Sequence, residues 1–469
     1  MGDFTEQTPT TIIGAGLTGL TAATVLNRSG APVRVLESEP AIGGASMTAR
    51  FGDHRFDLGG HRFYTRNEAV LALVRELIGD ELLSVPRQSR IFLRGSLVDY
   101  PLTFFNALSA LGPVTSAHVA ASYAWEKVKQ LFRTPPQETF ADWVISRFGR
   151  RLYDIYFRPY SEKVWGVPCT ELKADFAEQR IKGLSFREAV RDMFFKRDGG
   201  PATLVSRFLY PRLGFGRIPE AMAETLPPGS IRLRSPVLRV EHAEGRVNRV
   251  VCWTDRGEEP IEVSQVISTI PITDLIDAMC PSPPAEVAES AHALQYRDMV
   301  IVFLTLDREQ VTPDQWIYFS SGDVFFGRMH EPKNWSPEMA PPGKTGLVVE
   351  IFCYKDEPVW HEPDNSIAQR VATRLEELGL IRATEHTGSK VIRLPRAYPL
   401  YAGDYRRHLQ VVMDYLSRFD NLQTCGRNGL FRYTSGDYYI EMGMKAAENV
   451  LGRDHDLTSV AAEQVYAEK

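Results

Sequence analysis

Residues 10–37 read TTIIGAGLTGLTAATVLNRSGAPVRVLE, and much of the architecture of the chain can be worked out from this stretch. A short apolar strand leads directly into a helix, and the turn between them carries Gly14, Gly16 and Gly19. In this pattern the first glycine makes a tight turn, the second lets backbone N–H groups approach a pyrophosphate, and the third lets the helix pack closely on the strand. The spacing therefore predicts the first strand–helix–strand unit of a doubly wound α/β domain that binds a dinucleotide.

The acidic residue that closes this unit specifies more of the ligand. A second strand, predicted at 33–36, ends at Glu37, whose carboxylate can accept hydrogen bonds from both hydroxyls of a ribose. An acid at this position also repels a 2′-phosphate, which disfavours NADP. The helix begins near Leu17 and Thr18, and its N-terminal N–H groups bring positive potential to the same place. We therefore include Leu17 and Thr18 among the expected cofactor contacts.

The length of the chain indicates the number of its domains, and its net charge restricts the kinds of partner it can attract. At 469 residues, the chain exceeds the usual limit for a single core, so two domains are expected. A net charge of −5 and a pI near 6.1 create no field that would attract nucleic acid or an anionic membrane, so neither is an expected partner. An anionic ligand must therefore meet a local cluster of Arg and Lys.

The N-terminal sequence and the cysteines are typical of a cytoplasmic protein. The sequence MGDFTEQTPT is polar and acidic, unlike a signal peptide, and no stretch approaches about 18 uninterrupted apolar residues. The five cysteines are scattered, without a CxxC pair and without a histidine at metal-ligand spacing. The sequence therefore predicts reduced thiols, no metal site and a cytoplasmic location.

Periodicity divides the remaining chain into helical and strand-rich parts. A strand pair, SRIFLRG and SLVDYP, is predicted to turn at Arg94-Gly95, and a helical stretch follows from about 104 to 198. In the later, strand-rich part, FGRMHEPKNWSPEMAPPGKTG (326–346) is predicted as a long loop. A final helix is predicted at about 439–451.

Two glycine pairs extend the dinucleotide motif. Gly43-Gly44 begins six residues after Glu37, and Gly59-Gly60 lies in FDLGGHRFYT. Such pairs let backbone lie against a flat or extended ligand. With these residues the chain resembles the FAD-binding enzymes of the amine oxidase and protoporphyrinogen oxidase group, which share the Glu-x5-Gly-Gly continuation and a C-terminal segment that returns to the flavin. The resemblance implies FAD rather than NAD.

The same resemblance implies a discontinuous α/β fold. It predicts a Rossmann-type, glutathione-reductase-like FAD-binding domain with an inserted substrate domain of helices plus an antiparallel sheet. The FAD-binding domain would comprise 1–95, 200–272 and 390–469. The substrate domain would comprise 96–199 and 273–389.

Four further regions are similar to the UDP-galactopyranose mutases: GGHRFYT (59–65), YSEKVWG (160–166), FGRMHEPKNW (326–335), and the C-terminal pair AYPLY (397–401) with CGRNGLFRY (425–433). In those enzymes, two arginines and two tyrosines hold the diphosphate of the sugar nucleotide. The positions that match are Arg180, Arg328, Tyr398 and Tyr433, with His61 and Tyr64 near the reactive flavin edge. The resemblance adds Tyr160, Lys163 and Trp165 as substrate contacts, and Gly60, His61, Val237, Gly426 and Arg427 as flavin contacts.

The residue types suit this chemistry, although each also has a structural interpretation. A guanidinium binds two phosphate oxygens at once, so two arginines from different segments can neutralise a diphosphate without a metal. A single arginine is more commonly a surface or ion-pair residue. Trp165 followed by Gly166 fits core packing and a helix C-cap. Beside Tyr160 and Lys163, and before a predicted lid at 167–179, Trp165 also fits the wall of a substrate site.

The chain departs from the mutase pattern at two places. Tyr64 stands where the mutases commonly carry a second histidine, and a phenol, whose reference pKa lies far above neutrality, cannot tune flavin ionisation as an imidazole does. The segment SGDYYIEMGMKAA around Asp437 also differs. These departures bear on the reaction and on its specificity for galactose.

The sequence leads to one hypothesis and two alternatives. The resemblance implies an FAD-dependent enzyme that acts on a nucleotide-diphosphate sugar, with pyranose–furanose isomerisation through N5 of reduced flavin. The first alternative is an oxidase or desaturase of the same fold. The second is a non-catalytic binding module like the prenyl-GTPase dissociation inhibitors. A nucleotide sugar is the expected small-molecule partner, and a homodimer is left open.

Overall fold

The computed structural model of the chain describes residues 8–93, 95–99, 111–132, 137–174 and 207–460. The predicted strand–helix–strand unit is present as Thr10–Ile13, Leu17–Arg28 and Val33–Leu36, and the two strands pair in parallel. Every residue of Thr10–Ile13 is buried, as expected for a parallel strand covered on both faces. This part of the prediction is confirmed.

The parallel sheet collects strands from three distant parts of the chain. Its order is Leu422–Thr424, Val266–Ser268, Thr10–Ile13, Val33–Leu36 and Ile231–Arg232. All its strand pairs are parallel, so their carboxyl ends lie along one edge, where such sheets bind ligands. The predicted Rossmann-type α/β fold is confirmed.

The final helix packs on the phosphate-loop helix Leu17–Arg28. It runs from Gly436 to Val450, so it begins three residues before the predicted start. A Cβ at Gly443 would lie 2.4 Å from the Thr18 carbonyl oxygen, which shows how closely the two helices approach. The prediction missed the first turn because Ser435 and Gly436 are more typical of a loop than of a helix. The helices Glu68–Ile78 and Arg217–Glu224 pack in the same layer.

A seven-stranded sheet forms the second layer. Its order is His386–Pro399, Tyr296–Leu306, Thr345–Cys353, Arg328–His330, Trp316–Phe319, Ser89–Leu93 and Ser96–Asp99. Its strand pairs are antiparallel except for Trp316–Phe319 with Ser89–Leu93. The helix Asp364–Glu377 packs on this sheet through Ile367, Val371 and Leu375. The predicted hairpin formed by Ser89–Leu93 and Ser96–Asp99 is thus an edge of this sheet, and the division of the chain into domains stays a prediction.

One predicted loop contains a central strand. Within 326–346, Arg328–His330 pairs with Thr345–Cys353 on one side and with Trp316–Phe319 on the other. Three residues are too few for a recognisable period, so only pairing with neighbouring strands identifies this segment as a strand. The correction places Arg328 inside the sheet.

The helical part follows the predicted stretch where the structure describes it. Its elements are Pro113–Phe132, Phe140–Phe148, Arg150–Leu152, the π-helical turn Tyr153–Phe157 and Arg158–Trp165. The remainder of the predicted stretch, including Arg180 and residues 175–179 of the expected lid, lies outside the described residues. Among the described helices, none combines the length and apolar character that crossing a membrane requires.

Smaller elements complete the described chain. A four-stranded sheet has the order Gly257–Glu262, Arg246–Thr254, Val237–Ala243 and Met279–Cys280. Two further strand pairs are Thr48–Phe51 with His54–Asp57, and Leu82–Pro86 with Arg207–Pro211. The remaining α-helices are Ile272–Ala278, Ala285–Ala293, Pro358–His361, Tyr405–Leu416 and Gly426–Gly429. The 3-10 turns are Gly44–Ser46, Gly79–Glu81, Pro332–Asn334, Pro337–Met339, Ala383–Glu385 and Leu457–Ser459.

Candidate cofactor and substrate site

A cavity with a volume of 470 Å³ lies between the carboxyl edge of the parallel sheet and the seven-stranded sheet. This volume is within the usual range of small-molecule and cofactor sites. Most of the residues predicted from the sequence lie on its wall: Gly14, Gly16, Leu17, Thr18, Glu37, Gly43, Gly44, Gly60, His61, Val237, Arg328, Tyr398, Gly426, Arg427 and Tyr433. The fold therefore brings both the dinucleotide motif and the C-terminal tyrosines to one cavity.

The phosphate loop has the geometry that its glycines predict. Gly14 has φ +103°, and a Cβ there would lie 2.4 Å from Thr269 Oγ1. A Cβ at Gly19 would lie 2.1 Å from the Gly14 carbonyl oxygen, so this glycine serves the packing of the helix on the strand and is not on the wall. A Cβ at Gly16 would meet no described atom within 4 Å, and Gly16 is on the cavity wall. The loop thus has room for a pyrophosphate over Gly16, at the N-terminus of a helix.

The Glu37 carboxylate is held rigidly at the end of its strand. The residue is 8% exposed, and its Oε2 accepts the Ala15 N–H at 2.7 Å. Its Oε1 accepts the Glu39 N–H at 2.9 Å. These bonds tie the carboxylate to the phosphate loop and leave it on the cavity wall, where a ribose would follow a bound pyrophosphate.

The outer glycines brace the phosphate loop. The Gly43 N–H donates to the Ala15 carbonyl at 2.8 Å. Gly426 has φ +84°, and a Cβ there would lie 2.9 Å from Thr18 Oγ1. Segments separated by hundreds of residues therefore meet at one loop, and the residues present fit an extended dinucleotide such as FAD.

Arg328 lies on the cavity wall as half of a buried ion pair. The residue is 5% exposed, and its Nη2 lies 2.5 Å from Oε2 of Glu350, which is 0% exposed. Burial opposes the charge and is the largest single influence, but the Glu350 carboxylate and the nearby hydroxyls of Tyr398 and Tyr433 together outweigh it and raise the pKa of Arg328 well above its ordinary value. The same Nη2 donates to the Tyr398 hydroxyl at 2.5 Å. Arg328 therefore offers directional hydrogen bonds with a charge that is already balanced.

Arg427 differs because its described partners carry no formal charge. Its guanidinium carbon lies 4.8 Å from the Tyr398 ring centroid and 4.5 Å from that of Tyr433. Its Nε donates to the Ala397 carbonyl at 3.0 Å, and its Nη1 donates to the Tyr439 hydroxyl at 3.4 Å. Burial opposes the charge, yet the surrounding tyrosines raise the pKa of Arg427. This cation is well suited to an anionic ligand.

The helix Arg158–Trp165 lies behind the wall, contrary to the expectation of a substrate surface. The Lys163 ammonium donates to the carbonyls of Phe319 at 2.8 Å, Ser321 at 2.6 Å and Phe326 at 3.4 Å. Burial lowers the pKa of Lys163 to about 8.

The other two expected substrate contacts on this helix also pack against protein. Tyr160 meets the Tyr318 ring edge-on, with centroids 5.8 Å apart. Trp165 is 2% exposed and lies edge-on to Tyr398 at 5.8 Å. Gly166 ends the helix at φ +70°. The core-packing interpretation of this segment therefore fits, and Trp165 acts as a support behind Tyr398.

Of the two residues expected near the flavin edge, only His61 lies on the cavity wall. His61 is on the wall, and its ring stacks on Phe215 with centroids 4.9 Å apart. Tyr64 is not a wall residue, and its hydroxyl accepts the Arg66 Nε–H at 3.3 Å. The structure thus brings His61, but not Tyr64, to the cavity.

Two carboxylates that the sequence analysis missed support the wall. Glu350 lies in the apolar run LVVEIFCY, where an acid is a signal for a buried functional group. Asp57 is buried and accepts hydrogen bonds from the Thr48 hydroxyl at 2.5 Å, the Tyr210 hydroxyl at 2.6 Å and the Phe215 N–H at 3.0 Å. Burial raises the pKa of Asp57 to about 6. Through Phe215, Asp57 sets the position of His61.

Comparisons with known proteins agree with this geometry. Residues 17–442 match the family model described as flavin containing amine oxidoreductase. A probable UDP-galactopyranose mutase of Klebsiella pneumoniae is 27% identical over 220 residues, which are 45% of this chain and 52% of that protein. A dTDP-fucopyranose mutase of Escherichia coli is 24% identical over 218 residues, which are 44% of this chain and 55% of that protein. The chain thus matches about half the length of these two mutases.

A solved structure extends the likeness to almost the whole chain. The crystal structure of reduced UDP-galactopyranose mutase superposes with a TM-score of 0.85, covering 98% of this chain and 99% of the other. The two sequences are 22% identical, so this likeness establishes a shared fold.

Proposed function

Because this chain belongs to the flavin containing amine oxidoreductase family, we propose that its FAD-dependent reaction is the pyranose–furanose isomerisation of a nucleotide-diphosphate sugar. The observation that carries the proposal is the meeting of Arg328 and Arg427 at Tyr398, on the wall of the cavity that holds the dinucleotide motif. The partial likeness to two nucleotide-sugar mutases supports it. The sugar and the nucleotide are not part of the proposal.

The residues that would hold FAD are those of the phosphate loop, together with the glycines that contact the loop, Gly43 and Gly426. Backbone N–H groups at Gly16 and Leu17 would face the pyrophosphate, and Glu37 would accept from the ribose. When bound and reduced, FAD would supply the nucleophilic chemistry that opens and recloses a sugar ring. The protein then has to bind the sugar nucleotide in one orientation and stabilise its diphosphate.

The diphosphate would be stabilised mainly by Arg427. Its guanidinium carries a charge that no described carboxylate neutralises, whereas the Arg328 charge is balanced by Glu350. Arg328 and the hydroxyls of Tyr398 and Tyr433 would add directional hydrogen bonds. Arg180, which the mutase resemblance assigns to the same task, lies outside the described residues.

The apolar side chains behind the wall strengthen these interactions. Trp165 and Phe352 pack against Tyr398, and Phe352 also faces the Arg328 guanidinium at 4.9 Å. Apolar packing lowers the local dielectric constant, so a charge that develops on a departing diphosphate interacts more strongly with fixed donors than it would in water.

The test is turnover without net oxidation. Purified FAD-loaded protein is incubated anaerobically, with and without prior reduction by dithionite, with a panel of UDP- and dTDP-sugars, and the products are separated by chromatography. The expected result is a ring-size isomer formed only by the reduced protein. An absence of isomer from every sugar tested would contradict the proposal.

A net oxidation is the second candidate, because the family description is that of an oxidoreductase. Incubating the oxidised protein with oxygen and the same sugars, or with amines, distinguishes the two functions. Hydrogen peroxide formed in an equimolar amount with an oxidised product would show that the protein is an oxidase and would contradict the proposed isomerisation.

A further inference from the structure

His330 is a buried histidine beside the proposed ligand site, and it is not among the site residues predicted from the sequence. It lies two residues after Arg328 in the strand Arg328–His330, so both side chains project from the same face of the sheet. His330 is 1% exposed, and its ring stacks on Trp335 with centroids 5.1 Å apart and an interplanar angle of 14°. The ring is therefore fixed in place behind Arg328.

The polar atoms of His330 lack direct hydrogen bonds. Neither ring nitrogen has a hydrogen-bond partner among the described residues. Burial, together with the nearby His61, Arg328 and Arg62, lowers the pKa of His330 to about 3, so the imidazole is neutral near pH 7. A neutral imidazole donates from one nitrogen and accepts at the other, and buried polar atoms are rarely left unbonded in native proteins.

The nearest carboxylate belongs to the residue that also holds Arg328. The Nδ1 of His330 lies 3.8 Å from Oε1 of Glu350, which is too far for a direct hydrogen bond. A single water within hydrogen-bonding distance of both atoms can bridge such a separation. The same Oε1 accepts the Gly60 N–H at 3.3 Å, while Oε2 pairs with Arg328. Glu350 therefore binds the Gly60 N–H and Arg328 directly, and His330 lies beside it.

We propose that His330 is a positioning residue that hydrogen-bonds Glu350 through one buried water and thereby holds Arg328 in place on the cavity wall. His330 itself is not a wall residue, so it acts through Glu350 and does not touch the ligand. The effect on ligand binding rests on the proposed function, because only there does Arg328 contact a diphosphate. The effect on the position of Arg328 does not depend on any substrate.

The test compares two variants of the full FAD-loaded chain, His330→Leu and His330→Asn. Both lose the stacking on Trp335, but only asparagine keeps an N–H near the position of Nδ1. We expect crystal structures to show Arg328 displaced from Glu350 in His330→Leu and retained in His330→Asn. With UDP as the probe, calorimetry is expected to give a Kd about 10-fold higher for the leucine variant and within about 2-fold of the wild type for the asparagine variant.

The outcomes separate this inference from the proposed function. If the wild type binds neither UDP nor dTDP, the calorimetry speaks against the proposed function, and the crystal structures still test His330. An unchanged Arg328–Glu350 pair in His330→Leu would overturn the inference. The same is true if both variants displace Arg328 equally, because the stacking alone would then explain the effect. Flavin content and thermal melting of both variants establish that they are folded.

Discussion

The Tyr398 hydroxyl lies 2.5 Å from Nη2 of Arg328 and accepts a hydrogen bond from it. These residues are 70 positions apart and meet because their strands belong to one sheet, in which Tyr296–Leu306 and Thr345–Cys353 lie between them. Tyr398 also contacts a second arginine, because the Arg427 guanidinium lies over its ring. Tyr398 thus couples Arg328, which Glu350 neutralises, to Arg427, which has no carboxylate partner among the described residues.

Replacing Tyr398 by phenylalanine tests this coupling. The Tyr398→Phe variant keeps the ring that packs against Trp165 and Arg427 but loses the hydroxyl. Because a hydrogen bond to a charged group contributes about 1.5–3 kcal/mol, we expect UDP affinity to fall about 10-fold or more while FAD content is unchanged. Titration calorimetry measures the change. The matched control is Tyr415→Phe, which removes the hydroxyl of a buried tyrosine on the helix Tyr405–Leu416. This variant is expected to bind UDP normally.

The two arginines are predicted to affect stability differently. Arg328→Gln leaves the Glu350 carboxylate buried without its ion-pair partner, which is expected to cost about 3–5 kcal/mol of the free energy of unfolding. Adding Glu350→Gln should restore most of that loss. Arg427→Gln removes no ion pair among the described residues and is expected to change stability little. Urea unfolding of the apoproteins gives these values, and equal losses for both single arginine variants would contradict the assignment.

Two glycines of the phosphate loop are predicted to fail in different ways. Gly16→Ala adds a methyl group that meets no atom of the described residues within 4 Å, so the protein should fold with a normal melting temperature but lose bound flavin. Gly19→Ala places a methyl group 2.1 Å from the Gly14 carbonyl oxygen, so the protein itself should be destabilised. Flavin absorbance after gel filtration and the Tm of the apoprotein distinguish the two effects. If the Gly16→Ala protein kept its full flavin content, the assignment of the pyrophosphate to this loop would be wrong.

The buried Asp57 predicts how stability depends on pH. Its folded-state pKa is raised from 3.8 to about 6, so the folded state binds the proton more tightly than the unfolded state. Its favourable contribution is therefore complete below pH 3.8 and is lost as the pH rises through about 6. A shift of roughly two pKa units corresponds to about 3 kcal/mol.

An asparagine at this position should remove that dependence. The stability of the wild type relative to Asp57→Asn is expected to fall by about 3 kcal/mol between acidic pH and neutrality, then stay constant. Asp437, whose pKa burial also raises to about 6, contributes with the same sign in both proteins and cancels in the comparison. Urea unfolding at a series of pH values measures the difference. A difference that does not change with pH would show that folding leaves the pKa of Asp57 unshifted, which would contradict the prediction.

Local patterns allowed the elements near the cofactor to be predicted, but they failed for short paired segments. The strand Arg328–His330 was predicted as loop because three residues carry no period, and it is a strand only through its two neighbours. Trp165 and Lys163 were expected on a substrate surface because the segment YSEKVWG resembles a substrate-binding segment of the mutases. Their orientation depends on the carbonyls of 319–326 and on Tyr398, which come from other parts of the chain.

The phosphate loop and its acid could be derived from residues 10–37 alone, because the strand, the glycine spacing, the helix and the acid are all local features of the sequence, and the contact that requires Gly19 is with the Gly14 carbonyl oxygen five residues away. The electrostatics of the site could not. Whether Arg328 is paired, whether Arg427 is uncompensated and whether His330 is neutral depend on burial and on neighbours such as Glu350, contributed by separate strands. Charge interactions and desolvation are set by distances through space, and those distances exist only once the sheet register has placed the strands side by side.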